Sequence, residues 1–391
     1  MSCSTDCIIE YGYTSLNKLG EELCGDNVET VRGDDGSMTM VLADGLGSGV
    51  KANILSTLTA KIMSTMVAAE MPMQDCVETM IDTLPICRVR GVAYSTFSVV
   101  HLSADGRGYL VEFDNPQAIY IVGGRCRDFE RKPMEVCDKT IYYSDLALRP
   151  GDTVVLMSDG AIYAGVGQLL NFGWQRNDIM EYVDRNLEPQ LSARCVAWIV
   201  ASACNELYDN RPGDDTTVAA LRYRQPLHAS LMVGPPVDKA DDREWVGRFM
   251  ASAGKKIVSG GTTSQIVSRT LGATLSTTFE FPDREIPPIG HIDGIDLTTE
   301  GTITLRRVLN FSEHYLSSSD LNSKTFDRTD GASLIAEILF EQATDIDFFV
   351  GQGVNKAHDG LPINIKMKLK LIESLADNLR RMGKQVNIFY A

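Results

Sequence analysis

An apolar run from Met38 to Ala43 stops on Asp44-Gly45. Gly47 and Gly49 follow at once, and then a long helical pattern begins. A short apolar run bounded by turn residues reads as a buried strand. Asp44 therefore stands at the end of a buried strand, at the mouth of a flexible turn. A carboxylate held there suits a hard cation, which takes oxygen ligands, and the glycines let backbone carbonyls approach the same ion. Asp-Gly occurs seven times in the chain, and most such pairs are turns. What distinguishes this one is its company: Asp26 in CGDN, Asp159-Gly160 in VVLMSDG, and Asp214-Asp215 in GDDTTV. Two of these three adjoin an apolar, strand-like run.

Asp26, Asp44, Asp159 and Asp214 are separated by 18, 115 and 55 residues, so only folding brings them together. Four carboxylates cannot share a dry pocket without cations, because like charges push their pKa values up. Two divalent ions about 3.5–4 Å apart resolve the conflict and make a phosphate-ester hydrolase, with activated water as nucleophile and neutralised phosphoryl oxygens. Other chemistries fit poorly. No Cys is followed six positions later by Arg, and none of the five histidines lies near the acidic motifs. An imidazole-rich zinc site is thereby disfavoured. The G-x-x-x-x-G-K-[ST] nucleotide loop does not occur.

The 391 residues, 44% hydrophobic and 23% charged, suffice for two domains with sizeable cores. The net charge of −15 speaks against nucleic acid or an anionic membrane as the main partner. Residues 1–226 carry 19 Lys+Arg against 31 Asp+Glu, a net −12, while residues 227–391 carry 18 against 21, a net −3. No apolar run long enough to span a bilayer occurs, and the N-terminus lacks the pattern of a secretory signal. Nine scattered cysteines, an odd number without a C-x-x-C pair, point to a reducing cytoplasm.

Val28–Arg32 and Met38–Ala43 flank Gly33-Asp34-Asp35-Gly36, a hairpin signal. From Ser48 to about Glu70, Val50, Ile54, Leu58, Ile62 and Met66 repeat every four residues and predict one buried helical stripe. A second helix runs over Met73–Leu84. Strands follow at Tyr94–Leu102, Gly108–Phe113, Ala118–Val122 and Thr153–Met157, helices at Asp178–Asn186 and Ser192–Tyr208, and a strand at Asp214–Tyr223. This order is α+β with a mostly antiparallel sheet. Gln225-Pro226 and Gly234-Pro235-Pro236 bracket the boundary, giving domains 1–226 and 227–391. Beyond it, strands at Ser230–Val233, Lys255–Val258, Asp347–Val350 and Val386–Tyr390 alternate with helices at Lys239–Ala253, Thr262–Leu271 and Lys368–Met382. That alternation is the α/β pattern. Phe281–Ile289, with three prolines, reads as a loop.

LADGLGSGVKA, LRPGDTVVLMSDG and GDDTTV, in that order and preceded by CGDN, resemble the metal-dependent serine/threonine protein phosphatases (PPM). The resemblance is to the bacterial branch of the stage II sporulation phosphatase (SpoIIE-like) and the stress-response regulators, and it covers roughly residues 5–224. It implies an α-β-β-α sandwich holding two Mn²⁺ or Mg²⁺ ions. By position, Asp44 would bridge both ions, Gly45 would offer its carbonyl, Asp159 and Asp214 would complete the shell, Asp26 would orient a water, and Asp215 would support them from behind. The eukaryotic pattern has His after the first Asp-Gly, where this chain has Leu46. It also has a phosphate-gripping Arg, for which Arg32 is the nearest candidate here.

In the second half, Lys255–Ser264 reads as strand, glycine turn and helix start. Gly260, Gly261, Thr262 and Thr263 stand where a helix N-terminus can hold a phosphate or carboxylate, although an ordinary N-cap accounts for the same residues. Gly351-Gln352-Gly353-Val354-Asn355-Lys356 is a second such turn. If both turns lie at carboxyl ends of parallel strands, they could share one cleft. The expectation is a cytoplasmic, bacterial signal-transduction hydrolase. It would remove phosphate from phosphoserine or phosphothreonine on a partner protein, by resemblance one of the anti-anti-sigma type. The smaller α/β domain would be regulatory or ligand-sensing, with a small-molecule effector, and a homodimer is an open option. The alternatives are a phosphatase-fold binding protein with little turnover and a metal-dependent phosphodiesterase.

Overall fold

The computed structural model describes residues 7–83, 95–137, 139–167, 169–188, 191–277, 289–317, 330–353 and 363–391. The expected loop at 281–288, the helix end at Leu84, the strand start at Tyr94 and the turn residues 354–356 lie outside them. The chain divides into two compact units, Met1–Gln225 and Pro226–Ala391. Among the described residues no helix is long and apolar enough to cross a membrane.

The first unit runs β1 (Ile8–Leu16), β2 (Asp26–Arg32), β3 (Met38–Gly45), α1 (Gly49–Ala68), α2 (Met73–Thr83), β4 (Ser95–Leu102), β5 (Arg107–Phe113), β6 (Ile119–Val122), β7 (Arg125–Arg127), β8 (Lys132–Val136), β9 (Lys139–Ala147), β10 (Thr153–Met157), α3 (Asp159–Ile162), α4 (Arg176–Asn186), α5 (Ala193–Leu207) and β11 (Thr216–Arg224). One sheet has the order β1-β11-β10-β6-β7 and the other β2-β3-β4-β5-β9-β8. All neighbours in both are antiparallel.

Strand alternation sorts the apolar side chains into three cores. Met38, Met40 and Leu42 of β3 meet Val154 and Leu156 of β10 and Ala219 and Leu221 of β11 between the sheets. Val41 and Ala43 turn outward against Leu55, Met63 and Val67 of α1 and Val77 and Met80 of α2. Val155, Met157, Val218 and Ala220 turn outward from the other sheet against Val196 and Val200 of α5 and Ile179 of α4. The fold is therefore α+β, an α-β-β-α sandwich.

The structure corrects the expected face of α1. Val50, Ile54 and Leu58 are exposed by 63%, 53% and 45%, and Ile62 and Met66 are only half-buried. The face against the sheet is Ala52, Leu55, Ser56, Thr59, Ala60, Met63, Ser64 and Val67. A strict four-residue repeat advances about 40° further around the helix at each step, because a turn holds 3.6 residues. A line drawn through such a repeat therefore starts in solvent and reaches the edge of the core only at its far end.

The second unit runs β12 (His228–Val233), α6 (Asp242–Ala251), β13 (Lys255–Ser259), α7 (Gly261–Leu271), β14 (Ser276–Thr277), β15 (Gly290–His291), β16 (Leu297–Thr299), α8 (Thr302–Ser317), α9 (Gly331–Ala336), β17 (Asp345–Val350), α10 (Ile363–Arg381) and β18 (Gln385–Tyr390). Its sheet order is β14-β15-β16-β13-β12-β17-β18, with β16, β13, β12, β17 and β18 parallel. The chain builds outward from β12 in one direction and then returns to build in the other. Right-handed crossovers then put α6 and α7 on one face and the later helices on the other, a doubly wound α/β unit. Trp245, Val246 and Phe249 of α6 pack with Val267 of α7 on Met232, Val258 and Phe349.

Substitution separates the two faces of α1. Leu55→Ala and Met63→Ala should each lower unfolding stability by about 2–5 kcal/mol, and Leu58→Ala should change it by less than about 0.5 kcal/mol. Equal losses in chemical denaturation at Leu55 and Leu58 would refute the assigned packing.

Candidate metal centre

Every predicted acidic motif of the first half falls at one end of the sandwich. Asp26 opens β2 and Asp44 stands directly opposite it near the end of β3. Asp159 follows β10, and Asp214-Asp215 precedes β11, the antiparallel neighbour of β10. The end of β1 pairs with the start of β11, Leu16 against Thr216, so the loop after β1 arrives at the same place.

Three glycines make the gathering tight. A Cβ on Gly45 would meet the carbonyl oxygen of Ala52 in α1 at 2.1 Å. One on Gly160 would meet the Asp215 carbonyl oxygen at 2.1 Å, and one on Gly25 would meet Asp215 Oδ2 at 2.8 Å. Each is the sequence neighbour of an aspartate in the cluster. Ser158 ties the two sheets together: its hydroxyl donates to Asp26 Oδ2 at 2.7 Å and accepts from the Thr217 backbone N–H at 2.8 Å. The Tyr208 hydroxyl at the end of α5 donates to the Gly160 carbonyl at 2.8 Å.

The electrostatics are those of crowded carboxylates. Asp44 is pushed up to about 9, by burial first and then by the charges of Asp26, Asp159 and Asp214. Burial also raises Asp26, against hydrogen bonds from Ser158 and Thr217 that favour its charged form. Asp159 is raised by burial and by Asp214. Asp26 Oδ1 and Asp215 Oδ2 are buried without a hydrogen-bond partner. A buried oxygen without a donor is costly, and a cation relieves both atoms and the mutual repulsion. The donors are all hard oxygens, the set that Mn²⁺ or Mg²⁺ accepts. Among the described residues no three acidic, His or Cys side chains form a ready-made coordination shell. The Asp214 side chain is 40% exposed, whereas Asp26 and Asp215 are buried.

Arg32 does not belong to this site. It ends the strand that Asp26 begins, six residues or about 20 Å away, and its guanidinium donates to the Ile9 carbonyl at 2.8 Å. Among the described residues, the cation paired with the cluster is Lys18, just after β1. Its Nζ lies 3.4 Å from Asp214 Oδ1, and its backbone N–H donates to Asp215 Oδ1 at 3.0 Å. Nothing in the sequence around Lys18 marks it. Ser158 immediately precedes the Asp159-Gly160 pair, and its role at the cluster comes from the structure. Cys24 lies near the cluster, and burial and Asp26 push its thiol well up.

The second unit places Gly260 between β13 and α7, Gly261, Thr262 and Thr263 in the first turn of α7, and Gly351-Gln352-Gly353 after β17. Both turns leave the carboxyl ends of strands that flank β12. The nearby hydroxyls serve the backbone: Thr263 Oγ1 accepts from the Gly234 N–H at 2.9 Å, and Ser264 Oγ donates to the Gly260 carbonyl at 2.9 Å. Lys368 Nζ of α10 donates to the Gly351 carbonyl.

Helices on both outer faces of a two-sheet sandwich, with aspartates from both sheets at one end, define the fold of a PP2C-type phosphatase. Residues 34–224, just under half of the chain, match the stage II sporulation protein E (SpoIIE) family, which supports a SpoIIE-like PPM phosphatase domain in the first unit. Among solved structures, the chain is similar to the PP2C domain of SpoIIE from Bacillus subtilis with a fragment of its regulatory domain. The identity is 17%, over 56% of this chain and 64% of that one, with a TM-score of 0.48. It is also similar to the RsbU and RsbW domains of a Mycobacterium tuberculosis protein (16%; 64% and 71%; 0.46). RsbX in complex with magnesium gives 17%, over 55% and 95%, with a TM-score of 0.40. The chain thus spans just under two thirds of the first of these, 64%. No curated protein matches.

The raised carboxyls fix a sign for pH. A group whose folded pKa exceeds its unfolded value keeps its proton longer in the folded state, so stability falls as pH rises through that window. For Asp44 the window runs from about 4 to about 9. In EDTA, Asp44→Asn should therefore raise the thermal midpoint, by more at pH 8 than at pH 5. Saturating Mn²⁺ should abolish or reverse that advantage. A variant advantage in EDTA that shrinks with rising pH would contradict the assignment.

Proposed function

We propose that the first unit hydrolyses phosphoserine or phosphothreonine on a partner protein. The observation that carries this reading is the convergence of Asp26, Asp44, Asp159 and Asp214 from separate strand ends, in a unit of this family. Two divalent ions, Mn²⁺ or Mg²⁺, would supply there an acidified water and neutralisation of the phosphoryl charge. Asp44, the backbone of Gly45, Asp159 and Asp214 would hold them. Asp26, fixed by Ser158, would orient the attacking water, and Asp215 would hold Lys18 and the start of β11 in place. With Leu46 where a general acid could stand, the leaving oxygen would take its proton from water or from a residue outside this set. An anti-anti-sigma-type phosphoprotein in the cytoplasm fits the family. The second unit would act as a regulatory module, with a small-molecule effector at the turns after β13 and β17.

Turnover of p-nitrophenyl phosphate should require Mn²⁺ or Mg²⁺ and vanish in EDTA. Asp44→Asn or Asp214→Asn should lower it at least about a hundredfold, on the order of 2.7 kcal/mol of barrier. Asp105→Asn, in the turn between β4 and β5, should leave it unchanged. Activity that survives complete chelation would refute the reading.

Removal of residues 227–391 tests the regulatory assignment separately. It should change kcat or the apparent Mn²⁺ affinity several-fold. A truncated protein equal to the full chain in both would exclude control by the second unit under those conditions.

A further inference from the structure

The charges of the proposed centre leave one role unfilled. Asp26, Asp44, Asp159 and Asp214 would carry −4 when ionised, two divalent ions would bring +4, and Lys18 offsets Asp215, to which its backbone N–H donates. A phosphate monoester then adds roughly −1.5 to −2 to a neutral site. Arg32, the residue that sequence position offers for this charge, lies at the opposite end of β2.

We propose that Lys18 is the residue that grips the phosphoryl group of the substrate, its side chain leaving Asp214 when divalent ions occupy the carboxylates. The inference rests on the phosphatase reading and adds to it the substrate-holding cation. Three features of Lys18 carry it. Its backbone is pinned at the site, since its N–H donates to Asp215 Oδ1 at 3.0 Å, its carbonyl accepts from the Glu21 N–H at 3.0 Å, and the following Leu19 N–H donates to the Pro212 carbonyl at 2.9 Å. Its side chain is not pinned: the contact with Asp214 is long, at 3.4 Å, and the two side chains are 37% and 40% exposed. An exposed pair of this kind contributes little, so a better anion can take the ammonium over. Its partner, finally, is one of the carboxylates a cation would claim. A divalent ion at Asp214 therefore frees the Lys18 ammonium beside the place where a phosphoryl group would enter. A lysine serves there as a mobile point charge, whereas an arginine would impose a planar, two-pronged fit.

Three measurements on the full chain test this: Mn²⁺ affinity by calorimetry, inorganic phosphate affinity of the Mn²⁺-loaded protein by calorimetry, and KM and kcat on p-nitrophenyl phosphate. In Lys18→Gln, phosphate affinity should fall, and KM rise, by tenfold or more. Mn²⁺ should bind as tightly as in the wild type or a few-fold tighter, since Asp214 loses its competitor. Lys18→Arg should recover most of the phosphate affinity. Phosphate affinity in Lys18→Gln within twofold of the wild type would overturn the proposal, as would a tenfold loss of Mn²⁺ affinity, which would make Lys18 an organiser of the carboxylates. Phosphate binding needs no turnover. A wild type that binds phosphate through Lys18 without hydrolysing the ester would therefore refute the phosphatase reading and leave the Lys18 assignment standing.

Discussion

Carboxylates that repel one another, held at one end of a sandwich, set the terms for the rest of the first unit. Asp44 shares its surroundings with Asp26, Asp159 and Asp214, each of which raises its pKa. Such a cluster persists in a metal-free fold only if the backbone leaves it no way to spread. Here the confinement comes from missing side chains. Gly45 lets α1 lie against the end of β3, Gly160 lets α3 lie against the start of β11, and Gly25 lets the turn before Asp26 approach Asp215. An alanine at any of these would drive into backbone or carboxylate, and overpacking of that kind costs about 1–3 kcal/mol.

The same constraint explains the composition of α1. A helix this close to a strand has room for Ala52, Ser56, Thr59 and Ala60 on its inner face, with Leu55, Met63 and Val67 filling the wider gaps. Small and weakly polar residues are buried because the gap is narrow. The larger Val50, Ile54 and Leu58 are left outside for the same reason. Hydrophobicity alone assigns the faces the other way round. Shape decides, because interiors pack at crystal-like density and a bulky side chain cannot enter a narrow seam at any transfer free energy.

The gathering of the four aspartates was legible in the sequence because strand ends carry them, and strand ends are where an apolar run visibly stops. Lys18 was not legible, because it lies in an irregular loop and its role comes from the pairing of β1 with β11 across two hundred residues. Of the strands, β9 escaped because its buried and exposed positions alternate through Thr, Tyr, Ser and Asp, so no apolar run announces it. In the second unit, β16 has three residues, Leu297–Thr299, all buried. Without β16 the strand order around β12 cannot be derived, although the α/β class was plain from the alternation of longer elements.

The seven Asp-Gly pairs show what separates a site from a turn. Gly36, Gly106 and Gly294 have φ of +83°, +81° and +88°, the left-handed region that turns require and that glycine alone enters freely. Gly45 and Gly160 are absent from that region, and their glycine is needed for space. In a turn, the aspartate before the glycine bonds locally, as Asp35 and Asp105 do to backbone N–H groups two residues on. Asp44 and Asp159 instead face other carboxylates brought from elsewhere in the chain. The dipeptide is the same, but in one setting the glycine frees the backbone to turn, and in the other it lets a second element press against an aspartate and hold its charge in place. Only the second use raises the energy of the metal-free protein, and a divalent cation is the ligand that would lower it.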